Sequence, residues 1–287
     1  MASFQARDRQ SVMIRVALLF LLIFSFKPQA FGQAATAETK GGKQKNWRVM
    51  ADIQHVPILR KDQESYTDVV AIGDYFLNDK HRVRIMQAGS KLYEKYNSEY
   101  EFQASDTRLY HYYNFESKPL GFGYMWRNDI AIPISDLSQQ DDLVTRFTST
   151  MFLNRMVGGK TFISLMPFAR YNWYKFRTSP GGRLLPLYTF GISSLVSYSF
   201  TDKFSANGSA FYSIEGTNSS QYDSNFVQRE QGIYSFSVAL NYQIMKEVGL
   251  YASYFSGPAN YINQGRYEVY FYDQDSSRYG IGMTAIF

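Results

Sequence analysis

The sequence predicts an all-β protein, a transmembrane antiparallel up-and-down β-barrel of about twelve strands. Three observations lead to this fold class. Apolar and small polar residues alternate along most of the chain, which is typical of strands with two different surroundings. Aromatic residues make up 17% of the chain, yet the mean hydropathy is −0.32. Short polar turns also alternate with long polar segments.

The last predicted strand ends on an aromatic residue at the final position of the chain. Tyr279, Ile281, Met283, Ala285 and Phe287 share one face of it. This pattern resembles the last strand of bacterial outer-membrane β-barrels, where a terminal Phe is read by the barrel-assembly machinery. At the level of architecture, residues 47–287 resemble small barrels of this class, among them narrow channels for acidic sugars or nucleosides. The resemblance implies outer-membrane lipids, the assembly machinery and small solutes as partners.

Residues 1–32 are predicted to be a secretory signal peptide. A basic stretch with Arg7, Arg9 and Arg15 precedes an apolar run over 16–26, and small residues follow. The alternative, a membrane anchor, needs about 20 apolar residues, roughly twice this run. Residues 33–46 are small and polar, and we expect a flexible periplasmic lead-in there. Residues 47–287 are then expected to form a single barrel domain.

Short turns between alternating runs set the predicted strand order. They lie at 78–80, 158–160, 201–203 and 246–247, with a longer one at 116–120, and are typical of hairpin connections. Long loops are predicted near 59–65, 93–106, 134–143, 177–186, 215–233 and 257–276. Counted back from Phe287, short and long connections alternate without a break. The strand number is therefore even, with short turns on the periplasmic side and long loops outside.

Three predicted strands have clearly different faces. In 187–200, 203–214 and 234–245, aromatic and aliphatic residues alternate with Ser, Thr, Asn and Gly. A water-soluble β-sandwich is the alternative, but its exposed faces would carry more Lys and Glu. Small polar residues instead suit the inside of a barrel, while the apolar face meets lipid.

Aromatic residues cluster near predicted strand ends, and we expect girdles at the membrane interface, where amphipathic rings are favoured. The clusters are Tyr110, Tyr112 and Tyr113; Tyr171, Trp173 and Tyr174; and Tyr251, Tyr254 and Phe255. The alternative is a stacking track inside the lumen.

The sequence offers no pattern for an enzyme. None of the three histidines is followed two positions later by Ser, the pattern of an outer-membrane phospholipase, and no G-x-S-x-G motif is present. A barrel protease would need an Asp pair and a His–Asp pair at the outer rim. Asp141 and Asp142 lie in a predicted outer loop, but no predicted outer loop contains a His. Asp273 and Asp275 lack the spacing of a calcium motif. The chain has no Cys, and no cofactor or metal is expected.

Charged residues within the strands are predicted to face the lumen, because a charge on the lipid face near the midplane costs about 2–4 kcal/mol. By the alternation these are Arg82, Arg84, Arg127, Arg146, Arg170, Asp68, Asp74 and Asp129. A lumen lined by arginine would favour anionic solutes. The alternative is that the arginines pair with the aspartates and brace a closed lumen.

Two hypotheses of function follow. The first is an outer-membrane channel for passive diffusion of small, anionic solutes. The second is a non-conducting barrel that acts through its surface loops, suggested by Tyr261, Tyr267, Tyr270 and Tyr272 in the longest loop. The net charge of +5 comes partly from the predicted signal peptide, so no nucleic-acid partner is expected. The oligomeric state does not follow from the sequence.

Overall fold

The protein is described by a computed structural model that covers residues 46–57, 65–93, 102–182, 184–217, 231–256 and 277–287. The predictions for the signal peptide, for the lead-in up to residue 45 and for most of the loops 59–65, 93–106, 215–233 and 257–276 lie outside the described residues. The same holds for the four loop tyrosines and for Asp273 and Asp275.

Most of the described residues belong to strands. Their bounds are β1 (Trp47–Val56), β2 (Tyr66–Phe76), β3 (His81–Leu92), β4 (Phe102–Ala104), β5 (Thr107–Asn114), β6 (Gly123–Ile132), β7 (Leu143–Val157), β8 (Thr161–Tyr174), β9 (Pro186–Ser199), β10 (Phe204–Thr217), β11 (Gln231–Met245), β12 (Val248–Ser256) and β13 (Ser277–Ile286). A 3₁₀ turn spans Pro119–Gly121, and a short helix, α1, spans Asp136–Gln140.

The strands form one closed antiparallel sheet. Apart from β4 and β5, each strand pairs with its neighbours in the chain, and β1 also pairs with β13, with His55 opposite Ile281. The short β4 and β5 both pair with β3 and together make a single crossing of the barrel. The predicted twelve-strand transmembrane barrel is therefore confirmed. We call its two ends the short-turn end, which is periplasmic in this fold class, and the long-loop end.

An interruption of the strand at Ser105 and Asp106 separates β4 from β5. Gln87 spans this interruption from β3: its Nε2 donates to the carbonyl oxygens of Ala88 and Ser105, each at 2.9 Å, and its Oε1 accepts from Thr107 Oγ1. The predicted loop over 93–106 is wrong at 102–104, because this segment pairs with β3 in register.

The outer face of the barrel is an apolar belt. Large side chains that alternate with inward-facing residues are exposed there, for example Ile130, Ile192, Val238, Leu240 and Ile281. Such a belt is what lipid tails require of a barrel surface. No helix among the described residues is long and apolar enough to cross a membrane.

Side chains on the lumen side close the seam between the first and last strands. The hydroxyl of Tyr251 on β12 donates to Asp52 of β1 at 2.9 Å, and Thr284 of β13 donates to the same carboxylate. Gln54 donates to Ser253 at 2.8 Å. The Tyr251 ring reaches Asp52 by crossing Gly282, where a Cβ atom would overlap the ring. Glycine at 282 is therefore required by close packing.

Candidate functional site

The inner surface of the barrel has two contrasting walls. Cross-strand pairing turns seven arginines of β1–β8 inward, and we call this the arginine wall: Arg48, Arg82, Arg84, Arg108, Arg127, Arg146 and Arg170. The inward residues of β9–β12 are mostly small and polar, and we call this the serine wall: Ser193, Ser197, Asn207, Ser209, Ser213, Ser235, Ser237 and Ser253.

One carboxylate organises the arginine wall near the short-turn end. Asp74, whose side chain is fully buried, accepts from Arg48 Nε at 2.9 Å and from Arg84 Nε and Nη2 at 2.6 and 3.0 Å. Arg82 Nε lies 3.9 Å from the same carboxylate. Three guanidinium groups around one aspartate leave this part of the wall positively charged.

Aromatic rings contact the guanidinium groups of two arginines of this wall. The guanidinium of Arg82 lies 4.0 Å from the ring centre of Tyr112, and that of Arg127 lies 5.4 Å from Tyr110 and 5.2 Å from Phe152. Both tyrosines are buried. Cation–π contact holds an arginine in place without removing its charge.

The girdle prediction is therefore wrong for several aromatic residues. Tyr110, Tyr112, Tyr174, Tyr251 and Phe255 face inward by their cross-strand pairing. Tyr113, Tyr171, Trp173 and Tyr254 do lie on the outer face. Residues on one strand alternate between faces, so a cluster of neighbouring aromatics cannot belong to the girdle as a whole.

A continuous row of paired side chains connects the two ends of the lumen. Strand register places Arg48, Asp74, Arg84, Tyr110, Asp129, Thr148, Arg170, Thr189 and Glu215 next to one another on successive strands. We call this the central row. It begins at the second residue of β1, at the short-turn end, and reaches the last residues of β10, at the long-loop end. Strand tilt in a barrel produces this spiral.

Parallel rows on either side of the central row carry the remaining arginines. Arg82 and Arg127 lie in one of them, joined through Tyr112. Arg108 and Arg146 lie in the other, joined through Ala131. Arginines therefore occur at several levels of the lumen, from Arg48 near the short-turn end to Arg170 near the long-loop end.

Several buried polar atoms of the arginine wall make no hydrogen bond with the described residues. They include Nε of Arg82, Arg127 and Arg170, both carboxylate oxygens of Asp129, and Oγ1 of Thr148 and Thr189. The shortest ion contact of Asp129 is to Arg127, at 3.6 Å. Buried polar groups normally have partners, so this part of the wall suits water or a polar solute.

The interior is not closely packed around these groups. The inward side chain of Arg127 keeps 27% exposure and that of Arg82 keeps 19%. On the opposite wall, Ser193, Ser197 and Asn207 are also partly exposed. Side chains on both walls therefore keep exposed surface inside the barrel.

All eight residues of the predicted charge filter face the lumen, but the structure brings only some together. Arg82, Arg84 and Asp74 form one cluster, and Arg127 lies beside Asp129. Arg146 donates to Asn172 at 2.9 Å, and Asp68 accepts from Ser90. Among the described residues, arginine–aspartate pairing, the bracing alternative, occurs at Asp74 and, at the longer distance of 3.6 Å, between Arg127 and Asp129. The predicted assembly signal, from Tyr279 to Phe287, lies on the lipid face of β13, and its role stays a prediction.

Sequence reasoning missed Arg48 and Arg108 of the arginine wall. Arg48 alternates with outward-facing Val49 and shares the parity of Asp52. Arg108 shares the parity of Tyr110 and Tyr112. The charge-cost argument applied to Arg108 would have placed it inside, together with both tyrosines.

A second polar cluster lies at the long-loop end. Asp106 accepts from the backbone N–H groups of Ile134 and Ser135 at 3.2 and 3.1 Å, and from the hydroxyls of Ser135 and Ser138 at 2.7 and 2.6 Å. Burial alone would raise the pKa of Asp106, but the hydrogen bonds from Ser138 and Ser135 hold it below its usual value. Asp106 therefore anchors α1 as a charged carboxylate. No group of three or more His, Asp or Glu placed to hold a metal occurs among the described residues.

A closed twelve-strand barrel with an apolar belt and a polar lumen belongs to the class of transmembrane β-barrels. An outer membrane channel from Pseudomonas putida F1 shares this fold, with a TM-score of 0.57 and 11% identity over 89% of this chain and 100% of that one. The NanC porin is also similar, with a TM-score of 0.52 and 9% identity over 83% of this chain and 98% of that one. The sequence matches no protein-family model and no curated protein.

Proposed function

We propose that the protein is a channel of the bacterial outer membrane for passive diffusion of small anionic solutes. Export through the signal peptide predicted at residues 1–32 brings the chain to that membrane. The similar solved structures are an outer membrane channel and a porin, which supports a channel function for the same fold. The observation that carries the proposal is the arginine wall, which follows the lumen from one end to the other.

The balance of charge in the lumen favours anions. Arginines outnumber carboxylates among the inward residues that the structure describes: Arg48, Arg82, Arg84, Arg108, Arg127, Arg146, Arg170 and Arg278 against Asp52, Asp68, Asp74, Asp106, Asp129 and Glu215. Arg108, Arg146 and Arg170 have no carboxylate of a described residue within 4.0 Å. A narrow passage between low-dielectric walls strengthens the attraction of such charges for anions.

The arrangement of the arginine wall suits movement of a solute along the lumen rather than tight binding at one position. Successive guanidinium groups follow the spiral rows, so a solute that leaves one group meets the next. Conduction requires several sites in a row, each of which attracts the solute but binds it weakly enough to release it. The serine wall opposite offers hydroxyl groups without charge, and these can replace the solute's water.

Planar-bilayer recording of the refolded mature protein under a salt gradient tests this function. We expect discrete conductance steps and a reversal potential that favours anions. Arg127→Gln and Arg170→Gln should each shift that potential toward zero. Arg155→Gln is the matched control, because Arg155 lies on the outer face. A folded protein that shows no conductance steps, or a reversal potential that favours cations, would contradict the proposal. The absence of conductance steps would favour the alternative, a barrel that acts through its surface loops.

A further inference from the structure

Two histidines meet on the outer face of the barrel near the short-turn end. His81 is the first residue of β3, and His111 lies on β5 diagonally across from it, since Val83 is opposite His111 and Tyr113 is opposite His81. His81 Nδ1 lies 3.0 Å from His111 Nε2. The ring centres are 5.3 Å apart, and the ring planes differ by only 19°. The two rings are thus held nearly edge to edge, with one nitrogen of each facing the other.

This nitrogen pair has the spacing of two metal ligands. A neutral imidazole has one donor and one acceptor nitrogen, so the contact between His81 and His111 fits an N–H···N hydrogen bond in which either ring can donate. Two imidazole nitrogens bound at about 2.0–2.1 Å to adjacent positions of one divalent ion lie roughly 2.9–3.3 Å apart. Because the two nitrogens now point at each other, each ring has to turn by roughly 45° to direct both lone pairs at one ion bound at about 2.0–2.1 Å.

We propose that His81 and His111 bind a divalent transition-metal ion of the kind that prefers imidazole, with water at its remaining positions. The metal takes the place of the hydrogen bond and links β3 to β5, while the proton of the donating ring moves through water to the other nitrogen of that ring, so both imidazoles stay neutral. The site lies outside the lumen and is independent of solute passage. His81 and His111 supply its two protein ligands, in accord with the absence of any three-ligand group among the described residues.

The surroundings hold the pair in position and accept a cation. His81 N–H donates to Asn78 Oδ1 at 2.8 Å, which fixes the start of β3. The ring of Tyr113 packs 4.9 Å from that of His81. The neighbouring Lys80 is paired with Glu116 at 2.6 Å, which offsets the nearest positive charge. Both histidines are partly exposed, and His81 lies at the first position of β3, next to the short turn.

The test is titration of the tag-free, folded protein in detergent with Cu²⁺, the divalent ion that nitrogen sites bind most strongly. We expect electron paramagnetic resonance to show one copper per chain with two nitrogen ligands, and Zn²⁺ to compete for it. The chain contains only three histidines, and all of them are described. A two-imidazole signal must therefore come from this pair or include His55.

Single substitutions separate these cases. His111→Ala should remove the two-nitrogen signal, and His81→Ala should do the same. His55→Ala is the matched control and should keep it, because His55 bonds to Thr67 at the opposite end of β1. His111→Gln serves if the alanine variant does not fold, as judged by gel migration before and after heating. No copper–nitrogen signal in the wild type, or an unchanged signal in the His111 variants, would overturn the metal site. The contact between His81 and His111 would then be a hydrogen bond only.

Discussion

The guanidinium group of Arg82 lies over the ring of Tyr112, and its Nε is outside hydrogen-bond distance of Asp74. Its guanidinium carbon is 4.0 Å from the ring centre of Tyr112, whereas its Nε is 3.9 Å from the nearest oxygen of Asp74, beyond hydrogen-bond reach. A ring attracts a cation without neutralising it. Arg82 therefore keeps its charge in the lumen while its position is fixed, which is what a charged channel wall needs.

Replacing Tyr112 by Leu tests this arrangement. The substitution removes the ring from beneath Arg82 while keeping an apolar side chain of moderate size. We expect the free energy of unfolding in urea to fall by about 0.5–2 kcal/mol, the range of a cation–π contact. The anion preference should fall less than in Arg82→Gln, because the charge remains. Tyr113→Leu on the outer face is the control. If Tyr112→Leu and Tyr113→Leu changed the anion preference equally, the ring of Tyr112 would not be what positions Arg82.

Asp74 is expected to be the most sensitive carboxylate of the lumen. Asp74→Asn leaves Arg48, Arg82 and Arg84 without their shared negative partner, and breaking a buried pair costs up to about 3–5 kcal/mol. Urea unfolding should show this loss, and the reversal potential of any folded fraction should shift further toward anions. Asp79→Asn, in the exposed turn nearby, should change neither. Unaltered stability in Asp74→Asn would mean that lumen water replaces the carboxylate.

The general architecture was predictable because alternation and turn length act over the whole chain. A single exception does not disturb a pattern shared by twelve crossings, for example Ile286, an apolar residue that shares the inward face of β13 with Thr284. The inward placement of the charged residues could be predicted for the same reason, since Arg127 and Asp129 alternate with outward-facing Trp126 and Ile130. Both inferences need only the two-residue period of a strand.

The details of the lumen were not predictable from local pattern. Tyr110 to Tyr113 is aromatic on both faces, so alternation alone cannot say which rings support arginines. The interruption at Ser105 and Asp106 depends on Gln87, which is distant in the chain. The central row depends on the register of nine strands, and register is a property of pairs of strands rather than of any one sequence segment.

Close packing at Gly282 predicts a difference between two glycines. In Gly282→Ala the new Cβ would overlap the Tyr251 ring and push its hydroxyl away from Asp52, which weakens the seam between β12, β13 and β1. We expect a loss of about 1–3 kcal/mol in the free energy of unfolding, typical of overpacking. Gly208→Ala is the matched control, because nothing lies within 4 Å of a Cβ there. Equal effects of the two substitutions would show that the Tyr251 ring moves aside without cost.

The anchor of α1 is expected to depend on pH in one direction. Because the pKa of Asp106 lies below the usual 3.8, its stabilisation is fully present above that value and is lost as the pH falls through the lower value of the folded protein. A spin label on Leu137→Cys reports this motion, since the chain has no other cysteine and Leu137 is exposed. The label should be restricted at neutral pH and become mobile in acid.

Asp106→Ala should make the same label mobile at neutral pH as well, because the N–H groups of Ile134 and Ser135 and the two serine hydroxyls lose their common acceptor. Asp136→Ala is the matched control: Asp136 lies exposed in the first turn of α1, and its loss should leave the label restricted. A label that is equally mobile in the wild type and in Asp106→Ala at neutral pH would show that Asp106 does not hold the segment. Restriction that persists in acid would show that the hydrogen bonds survive protonation of the carboxylate.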